Sequence, residues 1–329
     1  MWAIETKKIK KNRYVFDDTL LMSGANLSED YFTNRQDRYL VMRNMNRLAG
    51  LYHDFVGLLS GFSDVVSGNK TKILTNRNST LRDKLRDALH DFASSYQREN
   101  EYDSSSYNSW VLPTFQFGEL DLFQDDEMIT KLLRRRKTHE SVDFATGYFN
   151  MPESMMNLLL HDCDIKRTRI LMSSPEAHGF HSAKGISGAL PLAYAERSRL
   201  FFERIQQQQQ QSDDVSNISL HEYTRDGWTY HAKGVWFTSS SETSPWLSVI
   251  GSSNFGMRSQ CRDIESQLYI GSTDLKLRES WERERNLLWK HASKVDEKIL
   301  SEDSRKIQGM SLRSGYWIRP VSSLISRFM

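Results

Sequence analysis

The sequence predicts an α/β fold, a mixed sheet sandwiched by helices, and three observations carry that expectation. Strand-like and helix-like patterns alternate from residue 125 onward, as they do in βαβ units. A dense polar stretch at 228–270, WTYHAKGVWFTSSSETSPWLSVIGSSNFGMRSQCRDIESQLYI, is set between runs rich in aromatic and β-branched residues. Near the other end, SGANLSEDYFTNRQDRYLVM from Ser23 repeats GSSNFGMRSQCRDIESQLYI. The repeat sets Asn26 opposite Asn254 and Asp37 opposite Glu265, each acid eleven positions after its asparagine. An internal repeat of this kind means two related halves.

Residues 14–22 alternate weakly and read as a strand entering the Ser-Gly-Ala-Asn corner, and 37–42 read as the next strand. Residues 46–59 place Leu48, Leu51, Tyr52, Phe55 and Leu59 on one helical face, a core stripe that leaves His53 as a surface residue. A polar stretch at 67–79 precedes an amphipathic helix carrying Leu81, Leu85, Leu89, Phe92 and Tyr96, and 99–107 read as a connector. A boundary near Asp125 then divides the chain into 1–124 and 125–329. Residues 125–136 form a helix with acids in its first turn and arginines in its last, as the helix dipole favours. Strand 142–150, helix 152–161 and strand 167–174 follow, then helix 191–205. The six glutamines at 206–211 read as a low-complexity surface insertion. Strands are expected at 230–237 and 247–250, and a charged helix at 274–290.

The chemistry concentrates where those last two strands would meet. His231 and Lys233, with the Gly-Ser-Ser-Asn corner of Ser252 and Asn254, suit phosphate chemistry. An imidazole can attack or move protons, an ammonium and an amide can hold phosphate oxygens, and a glycine corner admits the backbone. A lone His-x-Lys is usually a half-exposed strand face. Its coincidence with Asn254, Asp263 and Glu265 at close spacing favours a site. A second loop, PEAHGFHSAKGISGA, sets His178, His181 and Lys184 among glycines and admits two readings, a phosphate-approach loop and a plain surface loop. No third or fourth ligand stands at a recognisable spacing from the two histidines, so a metal is not implied.

The string HAK, followed by GSSNFGMRSQCRDIE, resembles the second catalytic motif of the phospholipase D superfamily, His-x-Lys then Gly-Ser-x-Asn and a downstream acid. FDDTLLMSGANLSEDYFTNRQDRY, ATGYFNMPESMM and SSPEAHGFHSAKGISGALPLAY are similar to the eukaryotic phosphatidylglycerophosphate synthase branch, from about residue 14 onward. The resemblance implies a phospholipase D-like fold with one complete half-domain and the C-terminal remnant of another. It implies transfer of a phosphatidyl group from CDP-diacylglycerol to glycerol 3-phosphate through a phosphohistidine, with no cofactor. Carried over residue by residue, His231, Lys233, Asn254 and Glu265 become catalytic, Glu265 orienting the imidazole. Asn26, Asp37, Ser252, His178 and Lys184 become substrate-binding. Where the family's first His-x-Lys would fall, this sequence has Lys10 and Asn12, so an N-terminally truncated form with little or no activity alone is expected. A symmetric dimer pairing two copies of His231, a catalytically dead lipid- or partner-binding fragment, and another phospholipase D-type phosphodiesterase are the alternatives. Thr238 stands where many members of the superfamily carry the motif's Asp.

A net charge of +2 over 329 residues advertises no general affinity for nucleic acid. The two cysteines, Cys163 and Cys261, read as reduced thiols. No apolar run reaches the roughly 18 to 20 residues that cross a bilayer, so any membrane contact is expected to be peripheral. Self-association through an uncovered inner face is expected, as is a mitochondrial location, the latter by resemblance alone because residues 1–13 make a poor transit peptide.

Overall fold

A computed structural model describes residues 13–67, 70–72, 79–98, 107–134, 141–163, 165–183, 188, 190–211, 217–239, 241–300, 306–307 and 310–311. The earliest described elements are β1 (Arg13–Phe16), β2 (Thr19–Ser23), α1 (Asp30–Thr33), β3 (Arg35–Gln36), β4 (Tyr39–Met42) and α2 (Asn46–Gly61). A short hairpin, β5 (Val65–Ser67) and β6 (Lys70–Lys72), and α3 (Ser79–Arg98) follow. Then come β7 (Ser109–Phe117), β8 (Leu122–Phe123), α4 (Gln124–Arg134), β9 (Ser141–Thr146), α5 (Glu153–His161), β10 (Arg167–Ser173), α6 (Leu190–Gln211) and β11 (Asn217–Tyr223). The last third holds β12 (Thr229–Tyr230), β13 (Gly234–Thr238), β14 (Leu247–Gly251), α7 (Met257–Cys261), β15 (Glu265–Ser272), α8 (Leu275–Trp289), β16 (Ala292–Lys294) and α9 (Glu297–Leu300).

Nine of these strands form one mixed sheet in the order β16-β11-β10-β9-β13-β14-β15-β7-β8. Strands β9, β10 and β11 are parallel, and β13, β14, β15 and β7 continue antiparallel. The central strands read as near-continuous apolar runs because both faces are covered. Val235, Phe237, Val249 and Tyr269 enter a core shared with α4, α5 and α6, while Trp236, Ile250, Leu268 and Ile270 enter one shared with α2, α3 and α8. Alternate residues therefore serve opposite layers, as the two-residue period of a strand requires. The α2 stripe predicted from spacing, Leu48, Leu51, Tyr52, Phe55 and Leu59, is buried throughout. His53 on its back is 75% exposed.

β1, β2 and β4 form a separate three-stranded antiparallel sheet. β3 reaches out of this region to pair in parallel with β12, so the first copy of the repeat is joined to the strand that leads into His231.

Three expectations are corrected. The strand expected at 14–22 is a hairpin, because Asp17, at a φ of 52°, and Asp18 turn the chain and pair Tyr14 with Leu21. The glutamines at 206–211 form the last turns of α6 rather than a flexible insertion, with Gln206 bonded to Glu297 and Gln208 to the Leu160 carbonyl. Glutamine is a good helix former, and a helix already nucleated by the buried Phe201 and Ile205 extends through it. The expected strand at 230–237 is two strands, because Tyr230 pairs with β3 whereas Gly234 begins the pairing with β9. His231, Ala232 and Lys233 occupy the break.

That break depends on Gly234, whose φ is +149°. A Cβ there would sit on the Arg38 guanidinium and the Val249 carbonyl. Gly234→Ala is expected to destabilise the fold by roughly 3 kcal/mol or more, read as a lowered urea midpoint. An unchanged midpoint would mean that the strand break is not fixed here.

Candidate active site

β9 ends at Thr146, and antiparallel β13 begins opposite it, Gly234 facing Ala145. β14 leaves the sheet and β15 enters it at this same end, so the break, the Ser252–Asn254 corner and Glu265 converge at the carboxyl ends of β9 and β10. In open α/β sheets, ligands bind at that end. Gly147 makes the convergence close, since a Cβ there would lie 3.1 Å from the His231 backbone and 3.4 Å from Asn254 Oδ1.

His231 is 2% exposed. Its amide donates to the Gln36 carbonyl at 2.8 Å, the contact through which β3 sets the break in place. Its Nδ1 lies 2.8 Å from Asp37 Oδ2 and 3.1 Å from the Tyr31 hydroxyl. Lys233 Nζ sits astride the ring, 2.7 Å from Nδ1 and 3.1 Å from Nε2, and donates to the His231 carbonyl at 2.7 Å. Burial pushes the Asp37 carboxyl up to about 6, against the pull of Lys233 and the Arg38 amide. It is therefore ionised at neutral pH. An ionised carboxylate only accepts, so the hydrogen bond to Asp37 is one that Nδ1 donates.

The ring-orienting carboxylate is thus Asp37 from the first copy of the repeat, where the sequence reading gave that role to Glu265. Glu265 is fully buried and takes the Ser259 hydroxyl at 2.8 Å, while Ser259 in turn accepts the Asn254 amide at 3.1 Å. Crossed pairing of this kind cannot be read from spacing within one motif. Arg38 underpins the arrangement, donating to the Lys233 and Val249 carbonyls, to Ser248 and to Glu284 while its guanidinium covers Trp236 at 4.0 Å.

Asn26 joins the cluster through its amide, which donates to the Tyr31 hydroxyl at 3.3 Å. The Asn254 side-chain oxygen is buried with no hydrogen-bond partner among the described residues. Ser252 closes the corner, accepting the Ser266 amide at 3.2 Å. His178 stands behind Tyr148, their rings 4.5 Å apart, and Tyr148 meets His231 edge-on at 5.5 Å. Its Nδ1 accepts the Phe180 amide at 3.1 Å, and burial lowers its pKa to about 3, so it is neutral. Lys184, Lys10 and Asn12 lie outside the described residues.

Tyr31, Tyr148, Arg35 and Arg38 were missed by sequence reasoning. The repeat held a signal for Tyr31, which stands opposite Ser259 five residues after its asparagine. Arg35 lies over the Tyr31 ring at 4.9 Å. Among the described residues no group of His, Cys, Asp and Glu is placed to hold a metal ion. Cys163 and Cys261 form no disulfide among the described residues.

A Gallus gallus protein named CDP-diacylglycerol--glycerol-3-phosphate 3-phosphatidyltransferase, mitochondrial, is 31% identical over 350 residues, which take in 96% of this chain and 60% of that protein. A Saccharomyces pastorianus protein of the same name without the location is 32% identical over 333 residues, 91% of this chain and 63% of its own length. A Dictyostelium discoideum protein, "Probable CDP-diacylglycerol--glycerol-3-phosphate 3-phosphatidyltransferase", is 34% identical over 301 residues, 84% and 51% respectively. The chain is a homologue of these transferases. It spans about half to just under two thirds of the length of these transferase relatives. The transferase homologue also shares its fold with the phosphatidylserine synthase of Haemophilus influenzae Rd KW20, at a TM-score of 0.66 and 21% identity, over 98% of this chain and 71% of that one. The likeness is one of fold, a large mixed sheet flanked by helices. No protein-family model matches the chain.

Proposed function

We propose that the chain carries one histidine half of a phosphatidyltransferase site, acting on CDP-diacylglycerol and glycerol 3-phosphate in mitochondria. The observation that carries this reading is the buried His231–Asp37 pair with Lys233 against the ring, in a chain homologous to transferases of that name. In the reaction, an imidazole nitrogen attacks the phosphorus that bears the diacylglycerol. The bond to CMP breaks, and the departing oxygen takes a proton from a second imidazole. A glycerol 3-phosphate hydroxyl then gives its proton to that second imidazole and displaces the histidine, leaving phosphatidylglycerophosphate. His231 supplies one imidazole. Lys233, Asn254 and Asn26 hold the phosphoryl oxygens, where charge grows in the transition state.

The test follows labelled glycerol 3-phosphate into lipid in detergent micelles containing CDP-diacylglycerol. CMP release that is unaffected by omitting glycerol 3-phosphate would make the chain a hydrolase instead. The order of the reaction in protein identifies the source of the second imidazole. A rate rising with the square of chain concentration places it on another copy, and rescue by an added first half-domain places it there.

A further inference from the structure

Arg35 is a cation that the proposed transfer leaves unused. It is no solvated surface charge, because its side chain is only 15% exposed. Nε donates to the Thr229 hydroxyl at 2.9 Å, Nη2 pairs with Asp30 at 3.0 Å, and the guanidinium lies over the Tyr31 ring. Held in this way, it reaches the loop that follows β10. A Cβ built on Gly179 would stand 2.9 Å from the Tyr148 hydroxyl and 3.6 Å from Arg35 Nη2, so the phenol and the guanidinium come together over one glycine. Burial keeps the phenol protonated against the pull of Arg35, and its hydroxyl has no hydrogen-bond partner among the described residues. Arg35, Tyr148 and Gly179 are each only partly buried, so a solute can reach the place where they meet. That place is one ring away from the imidazole, since Tyr31 and Tyr148 both meet His231 edge-on, at 5.2 and 5.5 Å.

We propose that Arg35 and the Tyr148 hydroxyl, over Gly179, hold the phosphate of the acceptor, a phosphate monoester whose free hydroxyl attacks the phosphorus at His231. The proposal rests on the proposed reading of the reaction and gives its second anion a place. A guanidinium offers parallel N–H donors that match a phosphate dianion, and a protonated phenol adds one more. Asp30, itself 56% exposed, is a partner that a dianion can displace, because an ion pair open to water is weak. Distance separates the acceptor from the nucleotide. In a diphosphate the second phosphorus is one bridging oxygen from the reacting one, where Lys233, Asn254 and Asn26 stand. In glycerol 3-phosphate a three-carbon chain separates the attacking hydroxyl from the phosphate, a span suited to a cation that stands one ring from the imidazole. His178, stacked on Tyr148, then acts by holding the ring that carries the hydroxyl.

The experiment reads binding rather than turnover. The full chain is dialysed to equilibrium against labelled glycerol 3-phosphate without CDP-diacylglycerol, with inorganic phosphate or glycerol as competitor, and separately against labelled CMP. Wild type is expected to bind labelled glycerol 3-phosphate and to release it to inorganic phosphate but not to an equal concentration of glycerol. Arg35→Gln should weaken that binding roughly tenfold or more and Tyr148→Phe a few-fold, while both hold CMP as wild type does. Thermal midpoints check the fold. Should Arg35→Gln unfold, Tyr148→Phe decides alone, because it removes a hydroxyl that bonds no described residue. Wild type that binds no glycerol 3-phosphate, variants that bind it like wild type, or a loss of CMP affinity in step with it would each overturn the proposal, the last by giving the subsite to the nucleotide. A chain that binds glycerol 3-phosphate through Arg35 yet transfers no phosphatidyl group would overturn the proposed activity alone. Transfer by Arg35→Gln with an unchanged Michaelis constant for glycerol 3-phosphate would overturn the subsite alone.

Discussion

In a site completed by the second imidazole, His231→Ala is expected to abolish phosphatidyl transfer, lowering the rate by at least about a thousandfold. Among the side chains gathered at the carboxyl end of β9, an imidazole alone has the chemistry both to carry phosphorus and to move a proton near neutral pH. Lys233 and Asn254 bind charge without changing bonds, so Lys233→Ala should cost on the order of a hundredfold to a thousandfold and Asn254→Ala less. His178 is separated from His231 by the Tyr148 ring, and His178→Ala should chiefly raise an apparent Michaelis constant. CMP release measured across these four variants decides the matter. Ordinary turnover in His231→Ala, or its complete loss in His178→Ala, would move the site to the other loop.

Asp37→Asn is expected to lower the same rate by roughly a hundredfold to ten-thousandfold while leaving the fold intact. The amide preserves the shape of the carboxylate but not its charge, and it can donate to Nδ1, which an ionised carboxylate cannot. The pH dependence gives a sharper reading. With its carboxyl raised to about 6, Asp37 takes up a proton as the pH falls through that value, and the wild-type rate should fall with it. The residual rate of the variant should lack that step. Stability should move the opposite way. Because the folded-state value lies above the unfolded 3.8, the folded chain binds this proton first, and wild type gains stability relative to the variant between about pH 6 and pH 4. Parallel falls in rate and stability through that window would mean that another group titrates.

What the sequence held and what it withheld divide along a physical line. Local periodicity placed α2, α4, α5 and α8, because a helix buries a stripe that one window of sequence displays. The repeat announced that Asn26 and Asp37 correspond to Asn254 and Glu265, and the glycine corner was legible as a turn. The pairing of Asp37 with His231, 194 residues apart, was not legible, since a motif shows which groups exist and not which copy of the repeat faces which. The strand break at 231–233 was hidden because Trp236 and Phe237 continue the aromatic pattern that Tyr230 begins. The glutamine tract misled for a different reason. Its composition is that of a solvated linker, yet its conformation follows from the helix in front of it.

The separation of Asp37 from His231 also bears on how the chain is made. Residues 13–61 leave the ribosome carrying Leu20, Met22 and the buried carboxylate, but the strands that cover them and the lysine that faces that carboxylate are not yet synthesised. At about 5–20 residues per second, His231 follows Asp37 by roughly 10 to 40 s. For that interval the apolar face that Leu20 and Met22 present lacks most of the core it enters in the finished fold. Synonymous changes that slow translation between codons 61 and 231 would lengthen the exposure and lower the yield of soluble chain, without altering a single side chain of the finished site.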